Sequence, residues 1–447
     1  MKICLVNLPW RKDGRIGVRA GSRWPFTVAS TGDVLLEYIP FPFFMAYSAA
    51  VLRENLFDVK LIDAVALNLD QETTTNQIIS WQPQVLVVET STPSFFNDIA
   101  IVETIKDRSK KIRTILCGPH ASTFPVDILK NYEFIDYVLI GEYEMTLLKL
   151  VKEAKVSSLP AISYRRGKEI VVNDFVSSID DINCLPWPYR DSLAIYNYND
   201  GFCGLPKPNV QIMASRGCPY SCSFCLWPQV IYRDKRYRKR AAADVVLEME
   251  YLVKRFNFKA VYFDDDTFNI DKDYVLEIVQ AIKNKKITVP WAVMARADCM
   301  DFELLKAMKD SGLYAVKYGV ESFDEGVLRN CKKSFNIDKA LSMIGYTKEL
   351  GIKIHLTFCL GLPGETVSSV EKTISFIEAI KPDSIQVSVA VPFPGTIWYQ
   401  DLLKLKPEIM GDWSGFDGGR ADLCNYSGYD RNQHEEIVLL LREKGLL

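Results

Sequence analysis

Three cysteines lie within eight residues near the middle of the chain, in the segment Ser215-Arg216-Gly217-Cys218-Pro219-Tyr220-Ser221-Cys222-Ser223-Phe224-Cys225. This CxxxCxxC spacing directly follows a strand-forming run, so the three thiols are predicted to share one loop at a strand end. The other cysteines, out of eleven in all, are scattered singly. That distribution favours a metal site in a reducing compartment over a framework of disulfides.

Three thiolates in one loop can bind three irons of a [4Fe–4S] cubane and leave the fourth iron open to an external ligand. The alternative is a three-cysteine zinc site completed by a distant fourth ligand. Closed zinc sites usually pair two CxxC elements, and the sequence has no second pair. The spacing therefore favours a cubane held by Cys218, Cys222 and Cys225.

Alternating strand and helix patterns predict two α/β parts, since 447 residues are too many for one compact core. The first part is predicted to be a doubly wound, Rossmann-like (flavodoxin-like) sheet, and the second a partial (β/α)6 barrel. The strands of the first are expected near 2–6, 58–62, 85–89, 113–117 and 136–140, with helices near 43–54, 97–109 and 142–153. Those of the second are expected near 209–215, 259–264, 289–296, 315–320, 352–360 and 384–391.

These patterns give four predicted segments. Residues 1–155 form the Rossmann-like domain, 156–205 a linker, 206–396 the barrel, and 397–447 a short C-terminal cap or substrate-contact segment with a helix near 432–444. Ligands are expected at the carboxyl ends of the strands in both parts, because open α/β sheets and parallel barrels bind their ligands there.

Charge and the first residues limit the expected partners. The 54 basic and 56 acidic residues give a net charge of −2, so no bulk field favours nucleic acid or a membrane. The basic run 233–240 could contact RNA, but a solvated loop leading to a helix near 241–256 is favoured. The chain starts directly on an apolar strand without a signal-peptide pattern, and the apolar stretch 41–52 is too short to span a bilayer. A cytoplasmic protein without a membrane span is expected.

Segments beyond the cysteines give a resemblance to the radical SAM superfamily over most of residues 209–396. They are Phe263-Asp264-Asp265-Asp266, Arg296-Ala297-Asp298, Gly319-Val320-Glu321-Ser322 and Gly361-Leu362-Pro363-Gly364-Glu365-Thr366. The resemblance implies that S-adenosylmethionine (SAM) chelates the open iron and that Phe224 lies beside its adenine. It also implies SAM contacts at Asp264, Asp265, Arg296, Glu321, Ser322, Gly361 and Pro363. The same segments could instead form a hydrated acidic turn, salt bridges at the barrel rim and tight turns, with Glu365-Thr366 capping a helix.

The N-terminal part resembles the subgroup of this superfamily that carries a cobalamin-binding domain. Gly118-Pro119-His120-Ala121 and Gly141-Glu142-Tyr143-Glu144 carry that resemblance. It implies cobalamin contacts in adjacent strand-end loops, at Ser91, Thr92, Gly118, His120, Gly141 and Glu142. The Asp-x-His-x-x-Gly series of cobalt-ligating domains does not occur, so no histidine is expected on the cobalt. A domain without cobalamin that helps to hold substrate is the alternative.

The resemblance implies a cobalamin-dependent radical SAM enzyme, with a C-methyltransferase of the class B type as the leading prediction. The expected substrate is a small-molecule or lipid-like precursor methylated at an unactivated carbon, and the expected electron donor is a flavodoxin or ferredoxin. One alternative is a cyclase, rearranging or oxidative enzyme of the same subgroup. Another is a non-catalytic cobalamin or iron–sulfur sensor.

Overall fold

The computed structural model describes residues 1–18, 25–28, 38–175, 179–411, 413–419 and 429–445. The chain divides into two compact units, neither of which is continuous in sequence. The first comprises Met1–Tyr198, Leu226–Asp234 and Phe393–Asp417, and the second comprises Asn199–Cys225, Lys235–Pro392 and Gly418–Leu447. Parts of the predicted domain (19–24 and 29–37), linker (176–178) and cap (412, 420–428 and 446–447) lie outside the described residues.

A seven-stranded sheet forms the centre of the first unit. Its strands are β1 (Lys2–Asn7), β2 (Asp58–Asp63), β3 (Val85–Glu89), β4 (Arg113–Cys117), β5 (Tyr137–Leu139), β6 (Ile162–Arg166) and β7 (Glu169–Val172). The first five are parallel and run in the spatial order β2-β1-β3-β4-β5, which is the flavodoxin-like order. The predicted doubly wound sheet is confirmed, because apolar runs such as Val85–Glu89 are buried on both faces.

Six helices connect these strands. They are α1 (Phe43–Glu54), α2 (Gln71–Trp81), α3 (Phe95–Arg108), α4 (Pro119–Thr123), α5 (Pro125–Asn131) and α6 (Glu144–Val151). The sequence analysis missed α2, which has few apolar residues. Asp70 is the N-cap of this helix, and its carboxylate accepts the Thr73 N–H at 2.6 Å. The unit also contains a small antiparallel sheet of Arg11–Lys12, Arg15–Val18 and Phe26–Val28, and the short strand Tyr38–Ile39.

The predicted linker 156–205 is largely structured. Strands β6 and β7 lie within it and extend the first sheet in antiparallel pairing, beyond β5. Residues up to 198 belong to the first unit, whereas 199–205 belong to the second. The segment was interpreted as irregular because its two strands are short and partly exposed, which weakens the period-two pattern.

Six parallel strands in sequential order form the sheet of the second unit and confirm the predicted partial barrel. They are β8 (Asn209–Ile212), β9 (Ala260–Phe263), β10 (Trp291–Ala295), β11 (Leu313–Glu321), β12 (Lys353–Leu360) and β13 (Ser384–Val389). Helices between them are α7 (Ala242–Phe256), α8 (Lys272–Asn284), α9 (Phe302–Lys309), α10 (Glu325–Asn330), α11 (Ile337–Glu349) and α12 (Val367–Ile380). Parallel pairing brings the carboxyl ends of all six strands to one rim.

The predicted cap 397–447 is divided between the two units. Helix α13 (Ile397–Leu405) and the turn Trp413–Gly415 belong to the first unit. Helix α14 (Arg431–Glu443) belongs to the second, where Ile437 and Leu441 pack with Val370 and Ile374 of α12. Within the ranges given above, no helix is long and apolar enough to cross a bilayer.

The basic run 233–240 is largely the solvated loop that was expected, since Arg233, Lys235, Arg236 and Lys239 are exposed, and it leads to α7. Arg240 is buried, with its guanidinium 2.6 Å from the buried carboxylate of Glu248 and 2.6 Å from Asp244. Lys239 pairs with Asp271 at 2.6 Å. These positive charges support α7 and α8 of the barrel rather than forming a continuous basic surface.

Candidate active site

The cysteine loop begins at a glycine that the local geometry requires. Gly217 has φ +96°, and a Cβ there would lie 2.0 Å from the carbonyl oxygen of Arg236. Its N–H donates to Asp266 at 2.8 Å. Because this backbone conformation is strained for a residue with a side chain and the neighbouring atom is backbone, only glycine fits without a shift.

The three thiols of the loop are half-buried, whereas Ser223 and Phe224 between them are buried. The N–H of Ser223 donates to the carbonyl of Cys331 at 2.7 Å, and the N–H of Cys225 donates to the carbonyl of Cys222 at 3.1 Å. The loop is therefore held in place by its backbone, with its three cysteines half-buried.

Burial raises the pKa of the Cys218 and Cys222 thiols. Metal binding has to displace these protons, and the bond from thiolate to iron then offsets the cost of the buried charge. No group of three His, Cys, Asp or Glu side chains in the described ranges is arranged to hold a single metal ion. A cubane does not need such convergence, because each cysteine binds a different iron. The donor set thus fits a [4Fe–4S] cluster.

The acidic segment after β9 supports the cysteine loop from within the unit. Asp265 is fully buried and accepts the backbone N–H groups of Ala214, at 3.2 Å, and Ser215, as well as the Ser215 hydroxyl. Burial raises the pKa of Asp265 to about 7. The hydrogen bonds of Asp265 hold the start of the cysteine loop. A contact between Asp265 and SAM stays a prediction. Asp264 is also buried, with its N–H bonded to the carbonyl of Ile212 at 2.9 Å.

Arg296, which directly follows β10, contacts the cysteine loop at Tyr220. Its guanidinium lies 3.7 Å from the ring centroid of Tyr220 and pairs with Asp298 at 2.7 Å. The Tyr220 hydroxyl lies 3.0 Å from the sulfur of Cys299. Because Tyr220 sits between two of the cysteines, this stack fixes the loop. A SAM contact by Arg296 stays a prediction.

Glu321 ends β11 in a backbone conformation that is rare for its residue type. Its φ is +70°, and its carboxylate lies 3.1 Å from the ammonium of Lys333. Non-glycine residues in this region cost about 1–3 kcal/mol and cluster at functional sites. Ser322 is fully buried, and its hydroxyl accepts the N–H of Asp324 at 3.1 Å. The sequence analysis did not identify Lys333, which lies in a short loop after α10.

The turn after β12 is shaped by close packing rather than by glycine content alone. At Gly364, with φ +77°, a Cβ would lie 2.0 Å from the side-chain amide nitrogen of Asn330. Gly361 has φ +82°, and its N–H donates to Glu365. Pro363 lies half-buried between them. Backbone in such a turn can approach a flat ligand closely, as the predicted contact of Gly361 and Pro363 with SAM requires.

The expected cap of the next helix is only half correct. Thr366 is the N-cap of α12 and shares a capping box with Ser369. Glu365 instead turns back and accepts the Tyr429 hydroxyl at 2.7 Å, which ties the residues before α14 to the turn.

The buried carboxyl of Glu365 should make stability depend on pH. Burial raises its pKa to about 7, so the protonated form is favoured in the folded state. The protonated carboxyl contributes fully to the stability of the fold below the pKa that Glu365 has in the unfolded chain. This contribution is lost as the pH rises through about 7. Between about pH 5 and about pH 8, the free energy of unfolding should fall by on the order of 1–3 kcal/mol relative to Glu365→Gln. Denaturant titrations of both proteins at several pH values measure this, and parallel curves would contradict it.

The first unit has its own set of strand-end loops, after β3, β4 and β5. Gly118 has φ +95°, and a Cβ there would lie 2.5 Å from the carbonyl oxygen of Thr90. Gly141 has φ +71°, and its N–H donates to the Ser122 hydroxyl oxygen at 2.9 Å. The adjacent strand order places these loops side by side, as predicted for cobalamin contacts. Both glycines are required by the close packing of the protein's own atoms at these strand ends.

His120 is enclosed by aromatic rings. Its ring stacks on Phe95 at 4.1 Å between centroids and also contacts Phe124 and Trp413. Its Nδ1 lies 3.3 Å from the Thr92 hydroxyl, and burial lowers its pKa to about 3, so the imidazole is neutral. Trp413 was not identified from sequence, because it is about 290 residues away along the chain.

The remaining predicted cobalamin residues lie in the same loops. Ser91 precedes the short helix Thr92–Ser94 and is buried, as is Glu142 after β5. Ser94 donates to Asp98 at 2.8 Å and so fixes the loop that carries Ser91. The structure thus brings the predicted residues to one edge of the sheet, while their contacts with cobalamin remain predictions.

Family models match both parts of the chain. The radical SAM superfamily model matches residues 212–377, and the B12-binding domain model matches residues 34–151. The chain therefore carries a radical SAM domain together with an N-terminal B12-binding domain. These two domains imply an enzyme whose cofactors are a [4Fe–4S] cluster, SAM and cobalamin. The predicted family and subgroup are confirmed.

Relatives of known sequence share this two-domain layout at low identity. An uncharacterized methyltransferase of Pyrococcus horikoshii is 28% identical over 363 residues, covering 80% of this chain and 77% of the relative. The anaerobic magnesium-protoporphyrin IX monomethyl ester cyclase of Rubrivivax gelatinosus is 25% identical, covering 81% and 66%.

One solved structure shows the same fold. The radical SAM methyltransferase TsrM from Kitasatospora setae, solved with cobalamin and a [4Fe–4S] cluster, gives a TM-score of 0.69 at 17% identity. The match covers 90% of this chain and 75% of TsrM.

Proposed function

We propose that this enzyme is a cobalamin-dependent radical SAM C-methyltransferase that acts on an unactivated carbon of a small-molecule or lipid-like precursor. The observation that carries the proposal is the presence, in one chain, of the three-thiol loop on a six-stranded barrel and a B12-binding sheet with glycine-lined strand ends. The Pyrococcus relative, which is named a methyltransferase, agrees with it. The proposed organisation assigns cobalamin to residues 1–155 and the cluster and SAM to 206–396, with 397–447 contacting substrate.

When bound, the cluster and one SAM would supply one-electron chemistry that yields a 5′-deoxyadenosyl radical, and cobalamin would carry the methyl group of a second SAM to the substrate, which leaves S-adenosylhomocysteine. The chain's own residues bind, orient and shield these groups. Cys218, Cys222 and Cys225 would hold the cluster, and Phe224 would lie along adenine. Asp265 and Arg296 keep the loop in place through the contacts described above.

The other predicted SAM residues would act at the barrel rim. Glu321 and Ser322 end β11, and Gly361 and Pro363 form the turn after β12. Carboxylate, hydroxyl and open backbone groups there suit the ribose and amino-acid end of SAM. With its ligands bound, the rim would also exclude water and oxygen from a reactive carbon.

A second candidate is a ring-forming enzyme of the same subgroup, which the relationship to the Rubrivivax cyclase favours. Anaerobic incubation with SAM, cobalamin and a reductant, followed by quantification of 5′-deoxyadenosine and S-adenosylhomocysteine, separates the possibilities. Both products are expected from a methyltransferase. 5′-Deoxyadenosine alone would point to the cyclase class, and neither product would point to a sensor. The Cys222→Ala variant serves as the background control.

The state of His120 leads to a spectroscopic prediction. Since its ring is buried between aromatic side chains, we expect no imidazole ligand on the cobalt of bound cobalamin. The His120→Phe variant should therefore keep the cobalamin absorption spectrum of the wild type, with phenylalanine filling the same stack. A changed axial ligation in the variant would show that His120 binds cobalt. A wild-type protein that does not bind cobalamin at all would contradict the methyltransferase proposal.

The chemistry also implies partners. One-electron reduction of the cluster needs a low-potential donor, for which we propose a flavodoxin or ferredoxin. Because exposed iron–sulfur loops are oxygen-sensitive and the thiols must stay reduced, we propose that the enzyme works in the cytoplasm.

A further inference from the structure

Lys333 is a buried lysine that the proposed chemistry does not use. It is 7% exposed, and its ammonium contacts the carbonyl of Gly319 at 3.0 Å and the carboxylate of Glu321 at 3.1 Å. An ammonium carries three donors, so these contacts occupy two of them. Burying such a group is costly unless negative charge lies close by.

The backbone places Lys333 next to the cysteine loop. Cys331, two residues before it, accepts the N–H of Ser223 at 2.7 Å, and Ser223 directly follows Cys222. The N–H of Lys333 is itself fixed by the carbonyl of Leu328 at the end of α10, at 2.9 Å. The two segments are thus held side by side.

Two buried cations, Arg296 and Lys333, lie against the cysteine loop. Arg296 pairs with Asp298 through two hydrogen bonds, at 3.1 and 2.7 Å. Lys333 makes a single contact with the carboxylate of Glu321, at 3.1 Å, so less of its charge is offset.

We propose that Lys333 is the countercation of the cluster, positioned by Glu321 and Gly319, and that its charge raises the cluster's reduction potential. Three thiolates bring negative charge into a half-buried loop, and net charge is one of the factors that set the potential of an iron–sulfur cluster. Glu321 acts in the opposite direction, because it offsets part of the ammonium's charge. The inference rests on the proposed cluster at Cys218, Cys222 and Cys225.

The test is the midpoint potential of the SAM-free cluster, measured by an anaerobic redox titration followed by electron paramagnetic resonance. Lys333→Met should shift the potential to more negative values, and Glu321→Gln should shift it to more positive values. Lys333→Arg should stay near the wild type. Lys332→Met is the matched control, since Lys332 is the adjacent lysine but is exposed, and its potential should not change.

Iron content distinguishes the two possible failures. Wild-type protein without about four irons per chain would remove the proposed cluster itself. Intact clusters with unshifted potentials, shifts of the same sign in both variants, or a shift seen only when SAM is present would overturn the role of Lys333 alone. Should Lys333→Met fail to assemble a cluster, Lys333→Gln, which lacks the charge but keeps a hydrogen-bond donor, should give the same negative shift, and an unshifted potential in that variant would overturn the proposal.

Discussion

Replacing Cys218, Cys222 or Cys225 with alanine is expected to reduce SAM cleavage to background. Each cysteine would bind a different iron, so the loss of one leaves a cluster corner without a protein ligand. After anaerobic reconstitution, the wild type should hold about four irons per chain and the variants fewer. Iron analysis and 5′-deoxyadenosine formation measure the two effects.

Cys184→Ala is the matched control, because this cysteine is exposed and belongs to the first unit. It should keep the iron content and SAM cleavage of the wild type. Zinc in place of iron in the wild type, or undiminished cleavage by the three loop variants, would show that the cluster assignment is wrong.

Gly217→Ala is expected to destabilise the protein by about 3 kcal/mol and to impair cluster assembly. The left-handed conformation costs a residue with a Cβ roughly 1–2 kcal/mol. The contact of only 2.0 Å with the Arg236 carbonyl adds to this, because a backbone atom must move. Thermal or denaturant unfolding of the apoprotein and iron content after reconstitution measure the effects.

Gly167→Ala separates the two causes. Gly167 has φ +64°, but no heavy atom lies within 4 Å of the place where its Cβ would be. This variant should lose only the roughly 1–2 kcal/mol of the conformational term and bind iron normally. If Gly217→Ala behaved in the same way, the close contact with Arg236 would not limit the cysteine loop.

The parallel strands of both sheets could be predicted because most of them are short buried runs that end at glycine, proline or a small polar residue. Helix α2 could not, since Gln71–Trp81 carries too few apolar residues for a clear period and is stabilised by its cap and packing. The bounds of the compact units could not be predicted either. They depend on the packing of Trp413 against His120 and of Gly395 against Thr123, and such contacts between distant segments cannot be read from the local pattern.

The cysteine motif was recognisable because its three cysteines lie in one short loop, so that their closeness in the sequence also brings them close together in the structure. Asp265 and Arg296 were correctly placed at strand ends. The backbone groups that bind Asp265 and the Tyr220 ring that stacks on Arg296 come from distant segments, which spacing cannot reveal. Lys333 was missed for the same reason. A lysine in a short polar loop is normally solvated, and only the hydrogen bond between Ser223 and Cys331 brings it to the cysteines.

The discontinuity of the first unit affects how the protein can be made in the cell. During synthesis, domains generally fold as units from the N-terminus. The B12-binding unit, however, includes Leu226–Asp234 and Phe393–Asp417, so it lacks some of its pieces until residue 417 has been synthesised. Gly395, for example, packs where a Cβ would lie 2.8 Å from the Thr123 hydroxyl oxygen. A nascent or truncated chain that ends before residue 393 would expose the aromatic surface of His120 and Phe124 against which Trp413 packs.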